Sequence, residues 1–222
     1  MGTITLTLPV AHTDITAGTL AGDFTTIQTV INGGLDNNNL APGFKRTTSA
    51  YAGGPPGSPT DGDIWVATAV EGSANRWSFQ YEAAWVTDAY KWKFIGGSSL
   101  FLSQDGSITV AATASPSPGS NGTGTVAAVT YSPTRSGVYQ ARHTGTLSNT
   151  TSVGVTTFIS MGGTNYSGNS GIPTAGGFIP ALAENEQACT TGSTIVPTYS
   201  NNNSGTLTVT VRRLVITPSR II

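Results

Sequence analysis

From Phe101 to Ile222 the sequence is a succession of short Val-, Ile-, Thr- and Ala-rich runs, cut by turn-residue clusters at 115–124, 132–137, 144–152, 162–177 and 200–205. β-Branched residues suit a pleated, half-buried surface, and Gly, Asn, Ser and Pro at this spacing leave no room for long helices. The pattern predicts a β-sandwich or jelly roll over 101–222. In the last run, Leu207, Val209 and Val211 share one parity while Leu214 and Ile216 have the other. Either both faces are buried there, or a bulge at Arg212-Arg213 turns the strand over.

Charge is the second constraint. Only 9% of the 222 residues are charged, 10 basic against 11 acidic, and between Gly106 and Ala183 there is no acidic residue and only Arg135 and Arg142 are basic. A chain without excess Lys and Arg cannot neutralise phosphates, so nucleic acid and anionic membranes are disfavoured as partners. No stretch approaches the roughly 18 apolar residues of a membrane span, and Met1–Leu8 lacks the basic and apolar regions of an export signal. With a surface of Gly, Thr, Ser and Asn in place of Lys and Glu, the expectation is a domain that buries its flanks against copies of itself.

Residues 1–44 read as an attachment and oligomerisation segment. Ile4, Leu6 and Leu8 alternate with Thr3, Thr5 and Thr7 as a half-buried strand does, ending at Pro9. A helix follows from Asp23, its N-cap, to about Ile31, stopped by Asn32-Gly33-Gly34. Leu20, Phe24, Ile27 and Ile31 fall at spacings of four, three and four, which suits either a helix laid on its own sheet or an oligomerisation seam too short to hold an assembly alone; the segment's few apolar residues favour the seam. Residues 45–62 read as a linker because of Gly53-Gly54-Pro55-Pro56-Gly57-Ser58-Pro59. Residues 63–100 hold all four tryptophans. There Trp77, Phe79 and Tyr81, and then Trp92 and Phe94, alternate with polar residues, predicting a small antiparallel module with an aromatic face, closed by Gly96-Gly97. The class is therefore mainly β, with a short N-terminal strand-helix anchor.

Catalytic chemistry finds little footing. The histidines, His12 and His143, lack a distinctive Ser or Asp context, and both read as structural. A glycosidase pair among Asp61, Asp63, Glu71, Glu82, Asp88, Asp105, Glu184 and Glu186 would have to be assembled in three dimensions. Of these, Glu184 and Glu186 read as a polar loop and Asp61-Gly62-Asp63 as a turn. That turn lacks the further acidic ligands of a calcium loop, so no metal is expected. No phosphate-cradling Gly motif is present, so no cofactor is expected either. Cys189 reads as a small core residue, and the sequons at Asn121, Asn149, Asn165 and Asn202 as turns. The aromatics are mostly core, but Trp85, between Ala84 and Val86, and Tyr90 are candidates for ligand or subunit contact.

The runs Thr60-Asp61-Gly62-Asp63-Ile64-Trp65, Arg76-Trp77-Ser78-Phe79-Gln80-Tyr81 and Ala89-Tyr90-Lys91-Trp92-Lys93-Phe94-Ile95-Gly96-Gly97 resemble a short module of tailed-bacteriophage structural proteins. The segment Phe24 to Leu40 is similar to helix-and-turn elements that anchor trimers in phage fibres. The resemblance covers roughly the first hundred residues. It implies a non-enzymatic virion protein, a homotrimer, attached to another virion protein through its N-terminal segment and projecting a tip toward a host cell-surface glycan or a fibre component. It fits a tail fibre, a minor tail protein, a head fibre or a capsid decoration protein alike. A free carbohydrate-binding module and a capsule-degrading tip using Glu184 or Glu186 are the alternatives from other classes.

Overall fold

The computed structural model describes residues 24–25, 45–84, 89–110, 129–152, 154–172, 174–201 and 205–222. Among these the chain is mainly β. Its strands are β1 (Arg46–Ala50), β2 (Ile64–Thr68), β3 (Trp77–Tyr81), β4 (Trp92–Gly97), β5 (Leu100–Gln104) and β6 (Ile108–Val110). There follow β7 (Gly137–Asn149), β8 (Val155–Met161), β9 (Thr164–Gly171), β10 (Phe178–Cys189), β11 (Ile195–Asn201) and β12 (Leu207–Ile221). Of the N-terminal segment, Phe24 and Thr25 have helical backbone. The expected strand at Ile4–Leu8 and the rest of the expected helix lie outside the described residues. No helix among the described residues is long and apolar enough to cross a membrane.

Nine strands form one sheet in the order β1-β2-β3-β4-β12-β7-β10, with β5 and β6 also pairing to β12. β12 is the axis. One edge takes β7 from Leu207 to Ile221, and the other takes β6 at Leu207–Val209, β5 at Arg212–Ile216 and β4 at Arg220–Ile221. A second sheet, β11-β8-β9, shares its core with the first: Ile159, Met161 and Ile195 lie in one buried cluster with Tyr139, Ala183 and Leu214.

The expected break at residue 100 is not a break in this sheet. β4 and β5 both pair with β12, and Trp65, Trp77 and Trp92 belong to the same cluster as Ile159 and Leu214. β4 runs through Gly96 and Gly97, and at Gly97 (φ +133) a Cβ would strike the Arg76 carbonyl, so glycine is required there. The 45–62 stretch is also more than a linker. Its first residues, Arg46–Ala50, pair in parallel with β2, and Tyr51 is fully buried. The Gly- and Pro-rich part is confined to the connection between these two parallel strands.

Two expected turn clusters are largely strand. Gly145–Asn149 continues β7 and Thr164–Gly171 forms β9, because pairing to β12 and β8 supplies what local turn preference would otherwise take. Glu184 and Glu186 likewise stand on β10, both exposed, rather than in a loop. They guard that edge of the sheet against foreign strands, as does Pro180. At this same edge the Asn169 side chain stands in for a strand, donating to Pro180 O at 2.6 Å and accepting from Leu182 N at 2.8 Å.

The bulge in β12 is present. Register slips between Thr210 and Arg213, Val211 adopts φ 52 and is 44% exposed, and Arg212 turns inward to 1% exposure. The second slip, between Pro218 and Arg220, places a residue without an N–H where the ladder is already broken. Beside the first bulge sits His143, fully buried. Its Nδ1 lies 2.9 Å from Arg213 O and its Nε2 2.9 Å from the Tyr199 hydroxyl. A carbonyl only accepts, so Nδ1 carries the proton, Tyr199 donates to Nε2, and the ring is neutral. Burial, reinforced by the nearby Arg212 and opposed by the Arg213 carbonyl, pulls its pKa down to about 4.

A clasp joins the aromatic strands to the rest. Arg135 Nε donates to Tyr51 O at 2.8 Å and Nη2 to Ala52 O at 3.2 Å. Its guanidinium lies 5.7 Å from the Tyr51 ring centre and 5.9 Å from that of Trp65. Tyr139 donates to Arg135 O at 2.7 Å, so across the 3.1 Å contact Tyr51 is the donor to Tyr139. Glu71 Oε1 accepts from Tyr131 OH, Thr134 N and Thr134 Oγ1 at 2.9 to 3.1 Å. Desolvation pushes the hydroxyls of Tyr51, Tyr131 and Tyr139 well above the usual phenol range, so they remain neutral donors.

Two outcomes follow. Arg135→Ala should lower unfolding stability by about 2 kcal/mol in urea titration, and Arg135→Lys should recover little because a point ammonium cannot bridge two carbonyls while lying flat on two rings. A loss below about 0.5 kcal/mol for Arg135→Ala would refute the clasp. His143 is neutral when folded down to about pH 4, whereas the unfolded ring protonates near 6.5. Its contribution is therefore intact above about pH 6.5 and is lost as the pH falls toward 4, on the order of 3 kcal/mol. Denaturation curves at pH 7 and pH 4.5 should show this slope in the native sequence and a shallower one in His143→Gln; an equal slope refutes it.

Candidate functional site

The aromatic strands place their rings by strict alternation. Trp77 and Phe79 of β3 and Trp65 of β2 are fully buried, Trp92 of β4 is 3% exposed, and Tyr81 ends the β3 row half-buried. The indole N–H of Trp65 donates to Ser49 Oγ and that of Trp77 to Ser98 O, both at 2.8 Å. Tyr51 stacks on Trp65 at 6.0 Å, Trp65 on Phe79 at 5.5 Å, and Tyr81 meets Trp92 edge-on at 5.3 Å. Each such pair adds about 1 kcal/mol beyond the area it buries. These rings are core, as the alternation predicts.

The Thr60–Asp63 turn fixes the end of this row. Asp63 Oδ2 accepts from Thr60 N at 2.9 Å, Asp61 Oδ1 from Ala83 N at 2.8 Å, and Gly62, at φ +86, donates to Tyr81 O at 2.8 Å. Against the ends of β3 and β4 lies the 55–59 loop, leaving a groove of about 250 Å³ lined by Pro55, Pro56, Pro59, Tyr81, Trp92 and Lys91, with Ala89 and Ile222. On the far side of Pro56 and Pro59 is a polar hollow of about 290 Å³, lined also by Lys45, Thr47, Ser58 and Asp63.

Charge gathers at the same corner. Glu82 donates its backbone N–H to Lys91 O at 2.9 Å, and its carboxylate takes Arg220 at 2.7 Å and Lys93 at 3.1 Å. The Arg220 hydrogen bond first, then that of Lys93, holds the Glu82 carboxyl below its ordinary range.

Of the sequence candidates, Tyr90 is half-buried and lies between two groove residues, Ala89 and Lys91. Trp85 lies outside the described residues, as do Leu20, Ile27 and Ile31; Phe24 is described and is 62% exposed. Of the carboxylate candidates Asp88 lies outside the described residues; among the described ones Glu71 is held in the clasp, Glu82 by two cations, Asp105 by Arg213 at 2.6 Å, and Glu184 accepts from Gln140 at 3.0 Å. Among the described residues no group of three or more His, Cys, Asp or Glu could hold a metal. Cys189 is buried, and Asn149, the last residue of β7, is 2% exposed and turns the chain there by accepting from Thr151 N at 3.0 Å. Sequence reasoning missed the proline loop as a groove wall; its run of three prolines beside a Gly-Asp turn was the available signal.

No family model matches the chain, and no curated protein does. Among solved structures, the globular domain of zebrafish complement 1qA protein aligns at 6% identity and TM-score 0.35, covering 53% of this chain and 95% of that one. An exo-β-1,3-galactanase from Phanerochaete chrysosporium aligns at 9% identity and TM-score 0.28, over 71% of this chain and 44% of the enzyme. A chain of infectious bursal disease virus, Gx strain, aligns at 10% identity and TM-score 0.27, over 66% and 43%. At these TM-scores neither a shared fold nor a shared activity follows.

Proposed function

We propose that this chain is a non-enzymatic structural protein of a tailed-bacteriophage virion, a homotrimeric tail fibre or minor tail appendage that contributes to host-surface contact. In this reading residues 1–44 attach to the particle through the Leu20, Phe24, Ile27 and Ile31 seam. The aromatic strands act as a collar, and the two-sheet body is a β-sandwich of jelly-roll type that projects outward. The observation that carries the reading is the motif in Thr60–Gly97. Its Gly-Asp turn and its alternating Trp, Phe and Tyr residues are the ones that pin β2 to β3 and fill the aromatic core. A head fibre or decoration protein would need the same physics of attachment and projection. A free carbohydrate-binding module is the second reading, favoured by the groove beside Tyr81 and Trp92.

Light scattering on the purified chain at low and high concentration should give a mass near three times 22.7 kDa. Asp at both Phe24 and Ile27 should reduce that mass to a monomer's, or strip the protein from particles, because an unpaired charge in an apolar seam costs several kcal/mol. A native chain that stays monomeric and is absent from particles would leave the lone binding module.

A further inference from the structure

We infer that the polar hollow between β1 and the 56–59 loop binds a neutral pyranose, two neighbouring ring hydroxyls bridging the Lys45 ammonium and the Asp63 carboxylate and the apolar ring face lying on Pro56 and Pro59. The inference rests on the reading that this protein meets a cell-surface glycan, and it names the class of sugar and the residues that hold it.

Alternation along the chain builds the floor of this hollow. Lys45 and Thr47 share the parity of Ser49, whose hydroxyl takes the indole N–H of the buried Trp65, and the connection from β1 to β2 closes over them with residues 56–59. Asp63, at the far end of that connection, is 5% exposed, and its Oδ2 accepts from Thr60 N at 2.9 Å. The volume enclosed, about 290 Å³, stands at the lower bound for small-molecule sites, which is room for one ring. Pro56 and Pro59 give it an apolar wall, whereas Thr47 and Ser58 line it with hydroxyls.

Electrostatics selects a neutral ligand. Lys45 and Asp63 are the ionisable groups lining the hollow, so its charge balances, yet no ion pair joins them. The charges nearby are directed elsewhere. Arg46 has the opposite parity on β1, Asp61 accepts from Ala83 N, and Lys91 lines the apolar groove on the other side of the two prolines. Among the described residues the side chains of Lys45, Thr47 and Ser58 make no hydrogen bond. Asp63 is engaged by the Thr60 N–H and by a further partner, but a carboxylate has about four acceptor sites. An ammonium only donates and a carboxylate only accepts, so the ligand must accept at one end and donate at the other. A hydroxyl does both, and two on adjacent ring carbons reach both charges with charge-assisted bonds. A zwitterion could meet the charges but brings no ring face to the prolines. Ser58 completes the pattern, because it holds φ +52, where glycine is at ease, and thereby brings a hydroxyl to the hollow.

The test is saturation-transfer NMR and calorimetric titration of the full chain with the methyl glycosides of glucose, galactose and mannose. Tetrahydropyran-2-methanol, which keeps the ring and lacks the diol, and serine, a zwitterion, are the controls. At least one glycoside should bind, about tenfold or more tightly than either control, and salt should change its affinity little because the ligand is neutral. Lys45→Met should weaken it about tenfold and Thr47→Val about threefold. Ser58→Gly should weaken it about threefold while the thermal midpoint holds or rises, a split that a merely structural serine would not give. A glycoside bound equally by the native chain and all three variants would overturn this site and leave glycan contact elsewhere on the chain. Equal binding of tetrahydropyran-2-methanol would overturn the diol bridge, and binding of serine in place of the glycosides would overturn the sugar. Binding of no glycoside would overturn the site, whereas the trimer is read separately by the mass measurement.

Discussion

Along Leu207–Ile221 both edges of one strand are paired, to β7 on one side and to β6, β5 and β4 in succession on the other. A strand paired on both edges has its backbone donors and acceptors satisfied wherever the ladder is regular. The two places where it is irregular then become the places where other structure is fixed. At the first, Val211 is pushed out, Arg212 is drawn in, and His143 reaches the Arg213 carbonyl while holding Tyr199 of the second sheet. At the second, near Pro218, the strand leaves β5 and meets β4, and Arg220 arrives beside Glu82. The same strand thus bonds the two sheets at one end and sets the charged corner of the groove at the other.

Low charge makes the few ionic contacts specific. Arg135 and Arg220 each bind groups far away in sequence on the loops and ends of the aromatic strands, and Glu71, on the loop between β2 and β3, binds the distant Tyr131 and Thr134. A surface salt bridge contributes little in general. Here the larger effect of Arg135 is to satisfy two main-chain carbonyls at a bend that Tyr51 and Gly54 make, where a Cβ at residue 54 would lie 2.5 Å from its Nη2. The clasp positions the start of the proline loop, so the shape of the groove depends on a loop residue eighty-four positions from Tyr51.

Period-two patterning made much of this fold legible. The alternation of Trp77, Phe79 and Tyr81 with Ser78 and Gln80 identified β3 and its inward face, and the parity change between Val209 and Leu214 left two readings, both faces buried or a bulge, between which the register slip from Thr210 to Arg213 decides. Other features were hidden because they depend on partners. Arg46–Ala50 reads as linker beside a Gly- and Pro-rich run, yet it has a parallel partner in β2. Gly145–Asn149 reads as a turn by composition, yet β10 and β12 pair with it on either side. Glu184 and Glu186 look like loop residues until the register places them opposite Arg142 and Gln140. The groove was illegible for the same reason: no local pattern brings the 55–59 loop to the ends of β3 and β4, and only the β1-to-β2 connection does.

Backbone strain marks where shape has been favoured over ease. Ser58, Ala69, Glu71 and Val211 all hold φ near +50, a conformation that costs a residue with a Cβ roughly 1 kcal/mol or more. For Glu71 the compensation is visible in three hydrogen bonds to its carboxylate from Tyr131 and Thr134. For Val211 it is the burial of two apolar sets of opposite parity, Leu207 and Val209 before the bulge and Leu214 and Ile216 after it. Ser58 differs in kind. It stands between Pro56 and Pro59 on the wall that separates the apolar groove from the polar hollow, and it lines the latter. Strain there serves no core: it falls in an exposed loop whose Pro56 and Pro59 line both cavities, at a residue that lines only the polar one.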